Sequence, residues 1–371
     1  MLIAMQRGKP DRVPCAPDIS TMIPERLTGK PFWEIEMNQN PPLWRAYIEA
    51  VRYFGIDGWF IYGALDWISD SPVSRRSEVI KETSDRIVCR YWLGTPAGEM
   101  TGETTYFVAD PASHTEKPVK SVTDDWEKLK YLYPKILDAD RSTFEQMRSE
   151  LGDLGAFGVS IGYPGFQNWF GYVQGGIEAL SYAYVDHPEL LEEWRQMAHE
   201  SFIRQMELIL DSKPDFVLLG GSGSITLQSP ALFRELSVPT IKQLTRMAKE
   251  AGIPTMIHSC GKQRALVEIL ATESDLDCVN PLEIPPMGDC DLAELKTTFG
   301  DRFALMGNIH TTDIMLRGTP EDVEREARKC IDDAADGGGF ILSTGDQCGR
   351  DTPDENILKL VEVAKSYGRY D

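Results

Sequence analysis

The chain has 371 residues, 42% apolar and 26% charged, and its 38 Lys and Arg against 58 Asp and Glu give a formal net charge of −20. Such acidity argues against nucleic acid and anionic membrane as partners, because both are held by clustered cations, and no apolar run reaches the ~18 to 20 residues of a membrane span. Seven thinly spread cysteines, and a start at Met1-Leu2-Ile3-Ala4-Met5 that meets Gln6 and Arg7 too soon for a secretory signal, predict a cytoplasmic protein with free thiols.

Along the chain, short β-rich runs alternate with longer amphipathic stretches, the rhythm of βα units. Eight runs begin near Val13, Gly58, Ala156, Asp215, Pro254, Asp277, Arg302 and Gly339. Some are continuously apolar, as in Phe216-Val217-Leu218-Leu219 and Phe340-Ile341-Leu342, which suits strands covered on both faces. The pattern predicts an α/β fold, a closed (β/α)8 TIM barrel formed as one domain by residues 1–371.

The rhythm breaks after the second run. Glu78 to Phe107 alternates around Gly94-Thr95-Pro96-Ala97-Gly98 and predicts an antiparallel hairpin or meander. Because such barrels typically need ~250 residues, approximately residues 67–122 are expected to form a β-rich insertion at the barrel mouth. Two uses are open for it, as a wall or lid of the site and as a packing or dimerisation element. Asp110 to Thr123 is polar and reads as a surface loop. His187 to Leu210 reads as one long helix. Later helices are expected to start at Thr319-Pro320-Glu321-Asp322 and Thr352-Pro353-Asp354-Glu355, each with a hydroxyl N-cap, and Gly337-Gly338-Gly339 to end the first of them.

The densest chemistry lies in Met256-Ile257-His258-Ser259-Cys260-Gly261, at the end of the fifth run. Alternation turns His258 and Cys260 to one face, and at the C-terminal end of a barrel strand that face looks into the mouth. An imidazole and a thiolate so placed suit zinc. Eighty-eight residues later, Ser343-Thr344-Gly345-Asp346-Gln347-Cys348-Gly349 brings Cys348 to another strand end. Two thiolates and one imidazole would leave a fourth position open, as in a catalytic zinc site. Other polar residues fall at expected strand ends: Asp66, Tyr163, Ser222, Ser224, Glu283, Asn308 and His310. Together they would ring one pocket, with Glu283, Asp346 and Tyr163 as catalytic candidates and the others as binding candidates. No Lys follows Gly220-Gly221-Ser222-Gly223 as a phosphate loop requires. Cys278 and Cys330 read as core and Cys290 as a surface thiol.

With these residues in view, the chain resembles the uroporphyrinogen decarboxylase superfamily. The resemblance runs from Arg7-Gly8-Lys9-Pro10-Asp11-Arg12-Val13-Pro14 through His258-Ser259-Cys260-Gly261, Asn280-Pro281-Leu282-Glu283 and Gly307-Asn308-Ile309 to Asp351-Thr352-Pro353-Asp354-Glu355-Asn356-Ile357. The resemblance implies the same barrel and one of two activities. The metal-free decarboxylase branch has arginines after its Arg-Val-Pro segment and a Gly-His pair near the last strand. Here Cys15-Ala16-Pro17-Asp18 and Asp346-Gln347-Cys348 stand in those places. The cobalamin-dependent methyltransferase branch, which includes methylcobalamin:coenzyme M methyltransferases, carries zinc on a His-x-Cys pair and a distant Cys. His258 and Cys260 match that pair, while the position of the distant Cys is taken by Asp346, with Cys348 two residues on.

The resemblance therefore implies a zinc-dependent methyltransferase. It would move a methyl group between a corrinoid, either free cobalamin or a corrinoid protein, and a small thiol, methoxyl or methylamine compound. The softer donor makes Cys348 the expected third ligand. The alternatives are a metal-independent uroporphyrinogen-type decarboxylase and a non-enzymatic tetrapyrrole or corrinoid binder.

Overall fold

Strands buried on both faces need apolar side chains in both directions. Seven segments supply them: Gly58–Gly63, Gly155–Ile161, Phe216–Gly220, Thr255–His258, Cys278–Asn280, Ala304–Ile309 and Phe340–Thr344. In the computed structural model, which describes residues 1–370, they pair in parallel in that order. Each of the last seven expected runs is one of these strands.

The first run, at Val13, is reduced to an extended segment. Pro14 and Pro17 have no N–H to offer a ladder, so pairing stays minimal. Ala16 N–H still donates to Leu342 O and Leu342 N–H to Pro14 O, both at 2.9 Å, and Asp57 N–H donates to Cys15 O at 2.8 Å. The segment thus sits between the last and first ladder strands and closes the (β/α)8 barrel. Asp57 anchors it, accepting two hydrogen bonds from Arg12, at 2.7 and 2.9 Å, and one from Cys15 N–H at 2.8 Å.

The helices follow their sequence signals closely. Helix Pro188–Asp211 fills the long amphipathic stretch. Thr319 caps helix Pro320–Ala334 in a reciprocal capping box with Asp322. Gly337, Gly338 and Gly339 then turn the chain into the last strand, each at positive φ (75°, 87° and 70°). The second cap departs from expectation. Helix Asp354–Ser366 starts after Pro353 without a side-chain cap, and the Thr352 hydroxyl is buried without a partner.

Between the first two ladder strands the chain leaves the barrel. Ser74–Glu82, Arg86–Thr95, Gly98–Phe107 and Ser113–Glu116 form an antiparallel sheet in that order, and Asp66–Ser69 pairs antiparallel with Ile136–Asp140. Ser113–Glu116 lies in the stretch expected to be a loop. Its pairing with Gly98–Phe107 draws polar residues into an edge strand. A second apolar core, including Leu93, Met100, Trp126, Trp169 and Trp194, joins this sheet to the barrel helices. Trp169 and Trp194 stack at 4.6 Å with 15° between their planes.

Helix Met22–Leu27 carries a buried acid. Among the described residues neither Glu25 carboxyl oxygen has a partner, and burial, with Glu36 nearby, pushes its pKa up from 4.5 to about 8. The folded chain prefers the protonated acid. This contribution is complete below the ordinary pKa and is lost as pH rises through about 8. Glu25→Gln, neutral throughout, should be more stable than the parent at pH 9, by on the order of a few kcal/mol. Its denaturation midpoint should also fall less from pH 6 to 9 than that of the parent. Parallel pH profiles for the two proteins would contradict this account.

Candidate metal centre

The C-terminal ends of the strands bring five side chains to one place. His258 ends Thr255–His258 and pairs in register with Asn280. The Asn280 side chain donates through Nδ2 to Met306 O at 3.4 Å, which turns Oδ1 toward His258 Nδ1 at 2.6 Å. Nδ1 therefore carries a proton, and Nε2 faces the mouth, 3.8 Å from Asp346 Oδ1. Cys260 follows two residues on and hydrogen-bonds the same ring. The chain then turns at Gly261, whose φ of +83° favours glycine. That turn aims Gly261 N–H at Glu283 Oε1, 2.5 Å away.

Ligand atoms of Cys260, Glu283 and Asp346 all lie within 4.8 Å of one another, with Glu283 buried and the other two half-buried. Asp18, from the extended first segment, stands behind them. It is 4% exposed, accepts Ser20 N–H at 3.0 Å, and feels the charges of both His258 and Asp346. Burial alone would depress the His258 pKa. The hydrogen bond with Cys260 and the fields of Asp18 and Asp346 outweigh it and raise the value to about 9. Burial also raises the Glu283 and Asp18 carboxyls. Asp346 adds to both shifts and His258 opposes them. Three acids around one imidazolium make a pocket suited to a cation.

The donor set fits zinc, which takes imidazole nitrogen, thiolate sulfur and carboxylate oxygen at ~2.0 to 2.3 Å. The spread of the ligand atoms is small enough for modest side-chain shifts to close it around one ion. The three ligands expected from the sequence are not brought together as a set. Among the described residues the converging ligand atoms are those of Cys260, Glu283 and Asp346, with His258 Nε2 3.8 Å from Asp346 and Cys348 outside the group. Cys348 is fully buried, and its N–H donates to Asp18 O at 2.8 Å. Burial, with Asp18 and Asp346 near, pushes its thiol up to about 12.

Other expected residues divide in two. Tyr163 and Ser224 are buried and bonded to each other at 2.6 Å. Ser224 N–H also donates to Ser259 Oγ at 3.1 Å, so this pair braces the loop before Cys260. Asn308 and His310, with Glu283, line a small cleft beside the cluster, where His310 Nε2 is buried without a hydrogen-bond partner among the described residues. Asn308 donates to Leu282 O at 3.0 Å. His310 Nδ1 caps the following helical turn by accepting Thr312 and Asp313 N–H. Ser222 is exposed. Asp66 opens the exposed ribbon strand Asp66–Ser69 and accepts Thr143 Oγ1 at 2.7 Å, so it does not join the cluster. Sequence reasoning missed Asp18 as a member, and an acid just beyond the first strand was the available signal. All seven cysteines are free. Cys290 is buried at 3% exposure, not the surface thiol its polar neighbours suggest.

Comparison with known proteins places these residues in context. The profile of the uroporphyrinogen decarboxylase (URO-D) family matches residues 97–367. Methylcobamide:CoM methyltransferase MtbA of Methanosarcina mazei is 28% identical over 161 residues, 43% of this chain and 41% of that protein. The methylated-thiol–coenzyme M methyltransferase of the same organism is 30% identical over 152 residues, 40% of this chain and 38% of that one. The chain thus spans about two fifths of the length of these relatives. A uroporphyrinogen decarboxylase of Chlorobium phaeovibrioides is 26% identical over 259 residues, 66% of this chain and 67% of that protein. A solved methyltransferase from Methanosarcina mazei shares the fold, with a TM-score of 0.65 and 17% identity, over 99% of this chain and 97% of that one.

The two thiols of the site should differ sharply in reactivity. Cys260 is half-buried, whereas Cys348 is fully buried with its pKa raised to about 12. Since the thiolate is the reactive form, iodoacetamide at pH 8 should label Cys260 at least about tenfold faster than Cys348, read by peptide mass mapping. Equal rates would contradict the buried position of Cys348.

Proposed function

We propose the following for this chain, which belongs to the uroporphyrinogen decarboxylase (URO-D) family: it is a methyltransferase that moves a methyl group between a corrinoid and a small methylated compound at a zinc centre in the barrel mouth. The observation that carries this reading is the joining of His258, Cys260, Glu283 and Asp346 at neighbouring strand ends. The corrinoid, free or on a separate protein, comes from the likeness to methylcobamide:CoM methyltransferases.

His258 through Nε2, Cys260 through Sγ and Asp346 through a carboxylate oxygen would hold the ion. Bound there, zinc supplies Lewis acidity toward the oxygen or sulfur that carries the methyl group. Asn280 fixes the imidazole so that Nε2 faces inward. His258 and Cys260 give up their protons to bind metal, and Asp346 loses a competing imidazolium. Glu283 has one oxygen tied to Gly261 N–H and a pKa raised by burial. Its other oxygen is placed to give a proton to the demethylated product or to take one from an acceptor. A carboxylate stands in this set where a two-thiolate site has a second sulfur, which makes it harder and favours a methoxyl compound over a thiol or methylamine.

Decarboxylation of a porphyrinogen is the second reading, favoured by the longer alignment to a decarboxylase. Charge opposes it. A substrate with several carboxylates would meet Asp18, Glu283 and Asp346 at the mouth, and no arginine follows Pro14 there. Anaerobic incubation with uroporphyrinogen should give no product above background, and robust turnover would reverse the assignment.

Protein purified without a metal-binding tag should contain about one zinc per chain. His258→Ala and Cys260→Ser should each lose most of it with the fold intact by circular dichroism. X-ray absorption should count one sulfur at ~2.3 Å and the remaining ligands at ~2.0 to 2.2 Å, with Cys348→Ser unchanged and Asp346→Ala weakened in zinc affinity by at least about tenfold. Two sulfurs in the parent, falling to one in Cys348→Ser, would return Cys348 to the ligand set.

A further inference from the structure

A second cavity lies away from the metal cluster. It has a volume of about 540 Å³, within the ~300 to 1,000 Å³ range of small-molecule sites. Its walls come from the antiparallel sheet, the loop after Gly155–Ile161 and the middle of helix Pro188–Asp211. Gly162 shows the separation. A Cβ there would meet Phe202 and Asn168, on the helix side, at 2.9 and 3.0 Å, whereas the next residue, Tyr163, bonds Ser224 beside the barrel mouth.

The charge of this cavity is unusual for the chain. The sequence has 58 acids, yet among the described residues none lines the cavity. Arg75 does, and among the described residues it has no ion pair or hydrogen bond. Its neighbour Arg76 turns to the other face of the strand, where it pairs with Glu99 at 3.2 Å and lies 3.8 Å over the Trp92 ring. Five aromatic rings, Tyr91, Tyr133, Tyr172, Trp194 and Phe202, share the lining with polar side chains such as Thr104, His114, Ser201 and Gln205. Trp194 Nε1 donates to Tyr133 Oη at 2.8 Å, so the Tyr133 hydroxyl proton is free to reach a ligand. The Asn168 side chain is also without a partner among the described residues and faces the same space.

We propose that this seam cavity is a binding site for a small aromatic carboxylate. The guanidinium fork of Arg75 matches a carboxylate through two parallel hydrogen bonds. The surrounding rings offer faces and edges to a planar ring. A single cation within a chain of net charge −20 favours a monoanion over a phosphate dianion. This site stands on its own observations and does not depend on methyl transfer at the mouth.

Quenching of tryptophan fluorescence by benzoate tests it on the full chain, with binding stoichiometry from calorimetry. Benzoate should bind saturably at one site per chain. Benzamide, which lacks the charge, and cyclohexanecarboxylate, which lacks the flat ring, should each bind at least tenfold more weakly. Arg75→Ala should weaken benzoate by at least tenfold, Arg75→Lys by less, and His258→Ala not at all. Thermal midpoints of the variants establish that each is folded. No saturation by about 10 mM benzoate, a Kd too weak for a built site, would overturn the proposal. So would equal binding of the two control compounds, indifference to Arg75→Ala, or loss of binding in His258→Ala, which would move the ligand to the mouth.

Discussion

The hydrogen bond between His258 Nδ1 and Asn280 Oδ1, at 2.6 Å, governs the chemistry of the barrel mouth. Parallel pairing places the two residues side by side at their strand ends. Asn280 is itself oriented by the carbonyl of Met306 on the next strand. The imidazole therefore inherits its direction from the ladder, not from a mobile loop. Nε2 points at Asp346, and the remaining donors collect around it. Preorganisation of this kind keeps a metal site from losing affinity to side-chain entropy, because the ring is already in place before any ion arrives.

The electrostatics of the cluster follow from that placement. Asp18 and Glu283 are raised by burial and by the charge of Asp346, while the imidazole is raised by its bond with Cys260 and by Asp18 and Asp346. Such mutual shifts signal a site short of positive charge. A divalent cation satisfies the acids together, whereas a single proton on His258 satisfies them only in part. Cys348 escapes this logic. Its thiol sits in a fully buried position, where ionisation is opposed by desolvation and by the same acids that favour a cation nearby.

Much of this architecture was legible in the residues because parallel strands covered on both faces read as apolar runs. The ladder strands show this directly, and alternation was enough to put His258 and Cys260 together. Legibility failed where no period operates. Asp346 and Cys348 share a loop bounded by Gly345 and Gly349, so neither strand nor helix spacing says which side chain faces the mouth. Ligand softness favoured the thiol, and packing placed the carboxylate there. Asp18 was hidden for a similar reason, since Pro14 and Pro17 reduce the first stave to an extended segment without a readable alternation. Asp66 was read as a mouth residue because it follows a barrel strand, but the chain there departs at once into the ribbon with Ile136–Asp140.

The insertion changes what the barrel can do without altering its mouth ligands. Its sheet is joined to helix Pro188–Asp211 through Trp194 and its neighbours, and the cavity, with mixed aromatic and polar walls, lies at the edge of that apolar seam. The seam and the mouth thus have opposite electrostatic demands. The mouth concentrates carboxyls around one imidazole and calls for a cation. The seam presents an unpaired guanidinium and calls for an anion. A net charge of −20 distributed evenly would suppress both features, weakening anion binding everywhere and leaving no site distinct as a cation trap. Concentrating acids at the strand ends while excluding them from the seam lets one acidic chain hold two sites of opposite preference.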